Sequence, residues 1–144
     1  MYPAAQQREA AMLARRRFVG CALCAGLGLI SADAFAQSEG LRRTVLQRIE
    51  FPGDKYVTIL VSAEIDPGFV VARHTHPGVE STLLIDGGGT LSVKGEPDRM
   101  VKPGEGWEIP PEAPHSLRNG DRLSRLASTY VVEKDKPLAT LAPE

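Results

Sequence analysis

This chain has little cysteine and little histidine. Its two cysteines, Cys21 and Cys24, both fall in the first 36 residues, so residues 37–144 offer neither a disulfide framework nor a thiolate nucleophile. Charge of either sign is not in excess: 17 basic residues stand against 18 acidic ones. Nothing in that balance invites nucleic acid or an anionic membrane. Long apolar runs are missing too. The uncharged stretch Val19 to Ala32 holds a strictly apolar run of only about a dozen residues, short of the roughly 20 that cross a bilayer. No 12-residue window of residues 37–144 keeps a clean helical period. Histidine is also scarce, three in 144 residues, and where those three fall becomes informative.

They fall in one pattern, His74-x-His76-x3-Glu80 followed by His115. His74 and His76 are two apart, so on a strand they project from the same face. Glu80 follows Pro77-Gly78, a turn that can swing it back beside them. Three imidazoles and one carboxylate leave one or two positions open on a metal that prefers five or six ligands. Taken singly, each of these residues has a plainer reading as a hydrogen-bonded histidine or a solvated charge. An unpaired carboxylate inside a fold is costly, and a cation removes that cost.

The first 36 residues read as an export segment. Arg15-Arg16-x-Phe18-Val19 resembles the twin-arginine signal of bacteria, with Ala14 where Ser or Thr is more usual. Ala34-Phe35-Ala36 supplies small residues for a signal peptidase, so cleavage before Gln37 and a periplasmic or secreted product are expected. A retained membrane anchor is the alternative; after processing no stable span is expected. Four of the 17 basic and two of the 18 acidic residues lie in this segment, leaving 13 and 16 and a net charge of about −3. Residues 37–144 are expected to form one domain with a modest core.

That domain reads as all-β. Leu41–Phe51 has alternating stretches with Val45, Ile49 and Phe51, Tyr56–Ile65 is dense in β-branched residues, and apolar runs follow at Phe69–Val71, Val79–Ile85, Thr90–Val93, Trp107–Ile109 and Leu126–Val132. Turn chemistry separates them, as in Pro52-Gly53-Asp54, Asp66-Pro67-Gly68, Asp86-Gly87-Gly88-Gly89 and Pro103-Gly104-Glu105-Gly106. Turns recurring about every 8 to 12 residues mark a sandwich or barrel and exclude a doubly wound α/β fold. The tail Glu133–Glu144 is expected to be an extended arm.

These motifs resemble the cupin superfamily, small jelly-roll (double-stranded β-helix) barrels. Gly68, His74, His76, Glu80 and Gly87 fill the first cupin motif at its spacing, and Gly104, Pro110, His115 and Asn119 fill the second. One departure stands out. Glu112 occupies the place of the second motif's internal glycine, between Pro111 and Pro114, which bears on local backbone shape rather than on ligation. The resemblance implies a barrel with a divalent transition metal inside near one end, held by His74, His76, Glu80 and His115. Asn119 and Glu105 are read as turn residues.

Strand parity places Thr82, Leu84, Leu117 and Trp107 as pocket wall, with core packing as the alternative for Trp107. Arg73 and Arg118 have the opposite parity and are expected at the surface. With no inward Arg or Lys near the motifs, strongly anionic substrates such as sugar phosphates are disfavoured against a hydrophobic or aromatic compound. Fe(II), Mn(II), Ni(II), Co(II), Cu(II) and Zn(II) all suit the donor set. Twin-arginine export carries folded proteins, so the site can fill in the cytoplasm, and Fe(II) or Mn(II) is expected. Two functions fit. One is a metalloenzyme, oxygenase- or isomerase-like, acting on a small organic molecule, with Glu80 or a bound water moving a proton. The other is a non-catalytic module that binds a small molecule or metal. A homodimer is expected, with arms at Gln37–Arg43 and Lys134–Glu144 covering a partner's edge strand.

Overall fold

The computed structural model describes residues 38–51, 53 and 55–143. The expected export segment and the expected cleavage before Gln37 therefore lie outside the described residues. Ten strands follow one another: β1 Leu41–Glu50, β2 Tyr56–Ile65, β3 Val70–Thr75, β4 Gly78–Asp86, β5 Gly89–Val93, β6 Arg99–Val101, β7 Gly106–Ile109, β8 His115–Asn119, β9 Ser124–Glu133 and β10 Thr140–Leu141. They form two five-stranded antiparallel sheets, β1-β2-β9-β4-β7 and β10-β3-β8-β5-β6. Among the described residues there is no helix, and none long and apolar enough to cross a membrane.

Alternation builds the interior. In β2 the residues Val57, Ile59, Val61, Ala63 and Ile65 are buried while those between them are not, as a half-buried strand requires. β9 answers with Ser124, Leu126, Ser128, Tyr130 and Val132, paired one to one with β2. The inward row Ile59–Tyr130–Glu80–Ile109 crosses the first sheet, and its one charged member is Glu80. In the second sheet His74 lies directly opposite His115, and Val71 opposite Leu117. Two apolar clusters result. One holds Leu41, Ile65, Leu84, Leu91, Leu117 and Leu126 among others, and the second holds Val57, Ile59, Val61, Tyr130, Val132 and Leu138.

Two local irregularities set the site. Between Val71 and His74, β3 spends one residue more than β8 does, a bulge. Val71 and His74 therefore both face inward although they are an odd number apart. At Gly78 the chain enters β4 so close to β9 that a Cβ would run into the carbonyl of Val131. Only glycine lets β4 start there and carry Glu80 back beside the histidines.

Several expectations need correction. β6 and β10 were not foreseen as strands, and β8, whose parity was used for Leu117 and Arg118, was not among the apolar runs. Val45, Ile49 and Phe51, the apolar residues that marked β1, are exposed, beyond or beside a bulge between Val45 and Gln47. The tail is no free arm. Thr140 and Leu141 pair with Thr75 and His74, and Leu138 is buried. Leu41–Arg43 likewise pairs with β2 of the same chain.

Candidate metal centre

His74 comes from β3 and His115 from β8, neighbouring strands of one sheet. Glu80 reaches across from β4 of the other. His76 sits in the two-residue link between β3 and β4. Their ligand atoms all lie within 4.8 Å of one another, and all four residues are buried. The ring centroids of His74 and His115 are 4.2 Å apart.

Each imidazole is turned by a backbone carbonyl. Nδ1 of His74 meets the oxygen of Ala72 at 2.8 Å, Nδ1 of His76 meets Leu138 at 2.6 Å, and Nδ1 of His115 meets Ala113 at 2.9 Å. A carbonyl only accepts, so each Nδ1 carries the proton and donates it. Nε2 of the neutral ring is then a bare lone pair, and all three point inward. The peptide carbonyl of His76 also accepts from the N–H of Glu112 at 2.9 Å, so the residue is held at both ends.

Glu80 supplies the charge. Its Oε2 lies 2.9 Å from Nε2 of His76 and 3.3 Å from Nε2 of His115. Its Oε1 accepts a hydrogen bond from Thr82 at 2.6 Å, and Thr82 in turn meets Ser128 at 2.6 Å. With Nδ1 protonated, the contact between His76 and Glu80 sets one acceptor against another, and Nε2 of His76 has no hydrogen-bond partner among the described residues. Two facing lone pairs repel unless a proton or a metal cation lies between them. Protonating the ring of His74 is costly here. Burial, and then the charges of His115 and His76, lower the pKa of His74 to about 4. Burial alone would raise Glu80, but hydrogen bonds from His115 and His76 in the state where Nε2 carries a proton, and from Thr82, outweigh it and hold the carboxyl below its usual range. The donor set, three neutral nitrogens and one carboxylate in a buried pocket, fits a divalent transition metal.

A cavity opens beside the cluster. Its outer part, about 290 Å³, touches His74 and His76; its inner part, about 50 Å³, touches His74, Glu80 and His115. Of the residues expected in the wall, Trp107 and Leu117 line the inner part. Thr82 lies behind Glu80 as its hydrogen-bond donor. Leu84 faces inward but packs into the apolar cluster with Leu126 and Leu91 rather than lining the cavity. Arg118 is exposed and Arg73 half-buried, and neither touches the cavity. Asn119 donates to the carbonyls of Ile65, Asp66 and Arg122 at 2.8–2.9 Å and so ties turns together. Glu105 accepts from the N–H of Lys102 within its own turn.

Sequence reasoning missed three site residues. Tyr130 packs its ring 4.9 Å from His76. Burial and the charge of Glu80 push its phenol up, so it stays protonated. Leu138 gives its carbonyl to His76. Arg43 lines both parts of the cavity, which corrects the expectation of a pocket without a basic side chain. Its pairing with Ala63 turns it inward, a relation that the sequence alone does not carry.

Residues 61–127 match the model of the family described as a cupin domain. No curated protein sequence matches the chain. Solved structures do. The DMSP lyase DddQ from Ruegeria pomeroyi superposes with a TM-score of 0.62 at 20% identity, covering 72% of this chain and 52% of that one. A cupin-like protein from Thermotoga maritima gives 0.59 at 20% identity, covering 75% and 83%. The polyketide cyclase RemF from Streptomyces resistomycificus gives 0.56 at 21% identity, covering 74% and 75%. The chain spans about half the length of the DMSP lyases it resembles. At such identities the likeness speaks for the fold. Residues 61–127 thus resemble a cupin domain, and the likeness to these structures shows the fold, a jelly-roll barrel of two antiparallel sheets.

Proposed function

We propose that this chain is an exported, metal-dependent cupin enzyme, oxygenase- or isomerase-like, acting on a small organic molecule in the periplasm. His74, His76, Glu80 and His115 would hold Fe(II) or Mn(II). The observation that carries the reading is the contact of Nε2 of His76 with Glu80 at 2.9 Å, two acceptors that only a cation or proton reconciles. The cavity supports turnover rather than storage, because it reaches the ligand atoms from one side and leaves room beside them.

A metal bound there supplies Lewis-acid or redox chemistry at its open positions. The chain's own residues do the rest. Backbone carbonyls fix the three ring tautomers. Thr82 holds Glu80 in one orientation, and Tyr130 presents a protonated phenol. Trp107, Leu117 and Leu126 exclude water from the inner cavity.

Elemental analysis of the exported protein, with His76→Ala as control, tests the reading. Near-stoichiometric iron or manganese, lost in the variant, supports it and leads to oxygen-uptake and isomerisation screens. Full metal occupancy in His76→Ala would overturn the ligand assignment. Metal without turnover of any small molecule tried would leave a binding module.

A further inference from the structure

We propose that Ser128 is a hydrogen-bond acceptor subsite of the inner cavity, and that the cavity takes a small alcohol, an apolar body carrying one hydroxyl that donates to Ser128. The inference deepens the reading above, naming the substrate class of the same site, and rests on it for the use of the cavity. Ser128 lies on β9, buried and facing inward with Leu126 and Tyr130, and pairs with Thr82 on β4. The hydroxyls of Ser128 and Thr82 are 2.6 Å apart. Taken alone, either could donate in that pair. Thr82, however, has one proton, and it goes to Oε1 of Glu80 at 2.6 Å, where a carboxylate only accepts. Thr82 must therefore accept from its other neighbour, and Ser128 must give it its own single proton. Glu80 thus sets the direction of a two-step chain of hydroxyls. What Ser128 has left to offer is lone pairs, and the residue borders the inner part of the cavity together with His74, Glu80 and His115.

A group that meets Ser128 there has to donate. A carboxylate, ketone or ether oxygen would set one buried acceptor against another, and would displace a donating water without replacing its bond. A hydroxyl keeps that bond. An ammonium donates too, but Glu80 is the one carboxylate among the described residues that line either part of the cavity. With that carboxylate already set against the metal, an ammonium would be a buried charge without a partner. Tyr130 offers it none, because burial and the charge of Glu80 push its phenol up and keep it protonated. Size divides the ligand the same way. The inner part, about 50 Å³, suits a group the size of a few waters. The outer part, about 290 Å³, is walled by Phe69, Val71, Leu138 and Leu141 among others and suits a hydrocarbon body. Val71, His74 and Tyr130 border both parts, so one molecule can occupy the two.

The test is calorimetric titration of Co(II)-loaded protein with cyclohexanol and with cyclohexanone, which share a ring and differ in the donor, in wild type, Ser128→Ala and Ser128→Thr. Wild type is expected to prefer the alcohol by about tenfold. Ser128→Ala should bring the two affinities together, chiefly by weakening the alcohol, with cobalt still bound. Ser128→Thr keeps the hydroxyl and should keep part of the preference. Equal affinities in wild type, binding of neither probe, or a preference that survives Ser128→Ala overturns the proposal. A loss of affinity for both probes alike in Ser128→Ala would make Ser128 a packing residue and overturn it too. If the protein takes up no cobalt, the metal reading falls, and the same titrations on metal-free protein judge Ser128 alone. A preference lost in Ser128→Ala would support the subsite there, and equal binding of alcohol and ketone to wild type would overturn it.

Discussion

The ring of His76 donates from Nδ1 to the carbonyl of Leu138 at 2.6 Å, across 62 residues of sequence. A segment that provides no ligand thus fixes the orientation of one. Removing residues 138–144 should lower metal affinity by about 10- to 100-fold with all four ligand side chains intact. Leu138→Ala keeps the carbonyl and loses only the buried side chain. It should cost about 2–5 kcal/mol of stability and leave the affinity of the folded protein near wild type. Chelator competition and denaturant unfolding, run on both variants, separate the two effects; equal affinity losses would contradict this account.

Thr82 orients Glu80 through a single short hydrogen bond. Thr82→Val keeps the shape and removes the donor, so metal affinity is expected to fall by about tenfold or more. Thr82→Ser should recover most of it. An unchanged affinity in the valine variant, measured by the same competition, would mean that the histidines alone position the carboxylate.

Leu84 and Trp107 were both read as wall, yet they should respond differently. Leu84 is 1% exposed and sits in the apolar cluster, so Leu84→Ala is expected to cost about 2–5 kcal/mol without altering ligand affinity. Trp107→Ala should weaken ligand binding while metal is retained. Thermal unfolding and ligand titration on the two variants provide the comparison.

Glu112 has φ of 58°, a left-handed conformation that costs a side-chain-bearing residue about 1–2 kcal/mol. Glycine is freer in the unfolded chain and gives part of that back. Glu112→Gly should therefore raise stability by up to about 1 kcal/mol, with metal content unchanged. A loss of stability would mean that the Glu112 side chain makes a compensating interaction.

Acid should weaken the metal-free protein. The pKa of His74 falls from 6.5 to about 4 on folding, so between those values the unfolded chain binds the proton and the folded one does not. Stability then declines as pH falls through that window. Glu80 acts in the same direction below its ordinary value of 4.5, because its folded pKa is also lowered. Urea midpoints of metal-free protein from pH 7 to pH 4 measure the slope, and a flat profile would contradict the burial argument for His74.

The candidate cluster was legible because three histidines fell into one spacing, and spacing survives without knowledge of the fold. β2 and β9 were legible from dense β-branched and apolar alternation. β8, His-Ser-Leu-Arg-Asn, carries one apolar residue, and β6 has three residues in all, so neither had a period to detect. β10 owes its existence to the open edge of β3, a tertiary fact. Arg43 was hidden by a different cause. In Leu-Arg-Arg-Thr-Val two arginines in succession read as a solvated face, and only pairing with Ala63 tells which of them turns inward.

The bulge in β3 gives the two halves of that strand separate inward faces, one for the wall at Val71 and one for ligation at His74. The bond that orients His74 comes from a main-chain carbonyl at Ala72, which any residue type can supply. Over evolutionary time the identities at Ala72 and Arg73 are therefore free to drift, while their number is not. Losing one of the two would turn either the wall or the ligand out of the barrel. What is inherited at this point is a length of chain, and alignments of related proteins should reveal it as a forbidden gap between two variable columns.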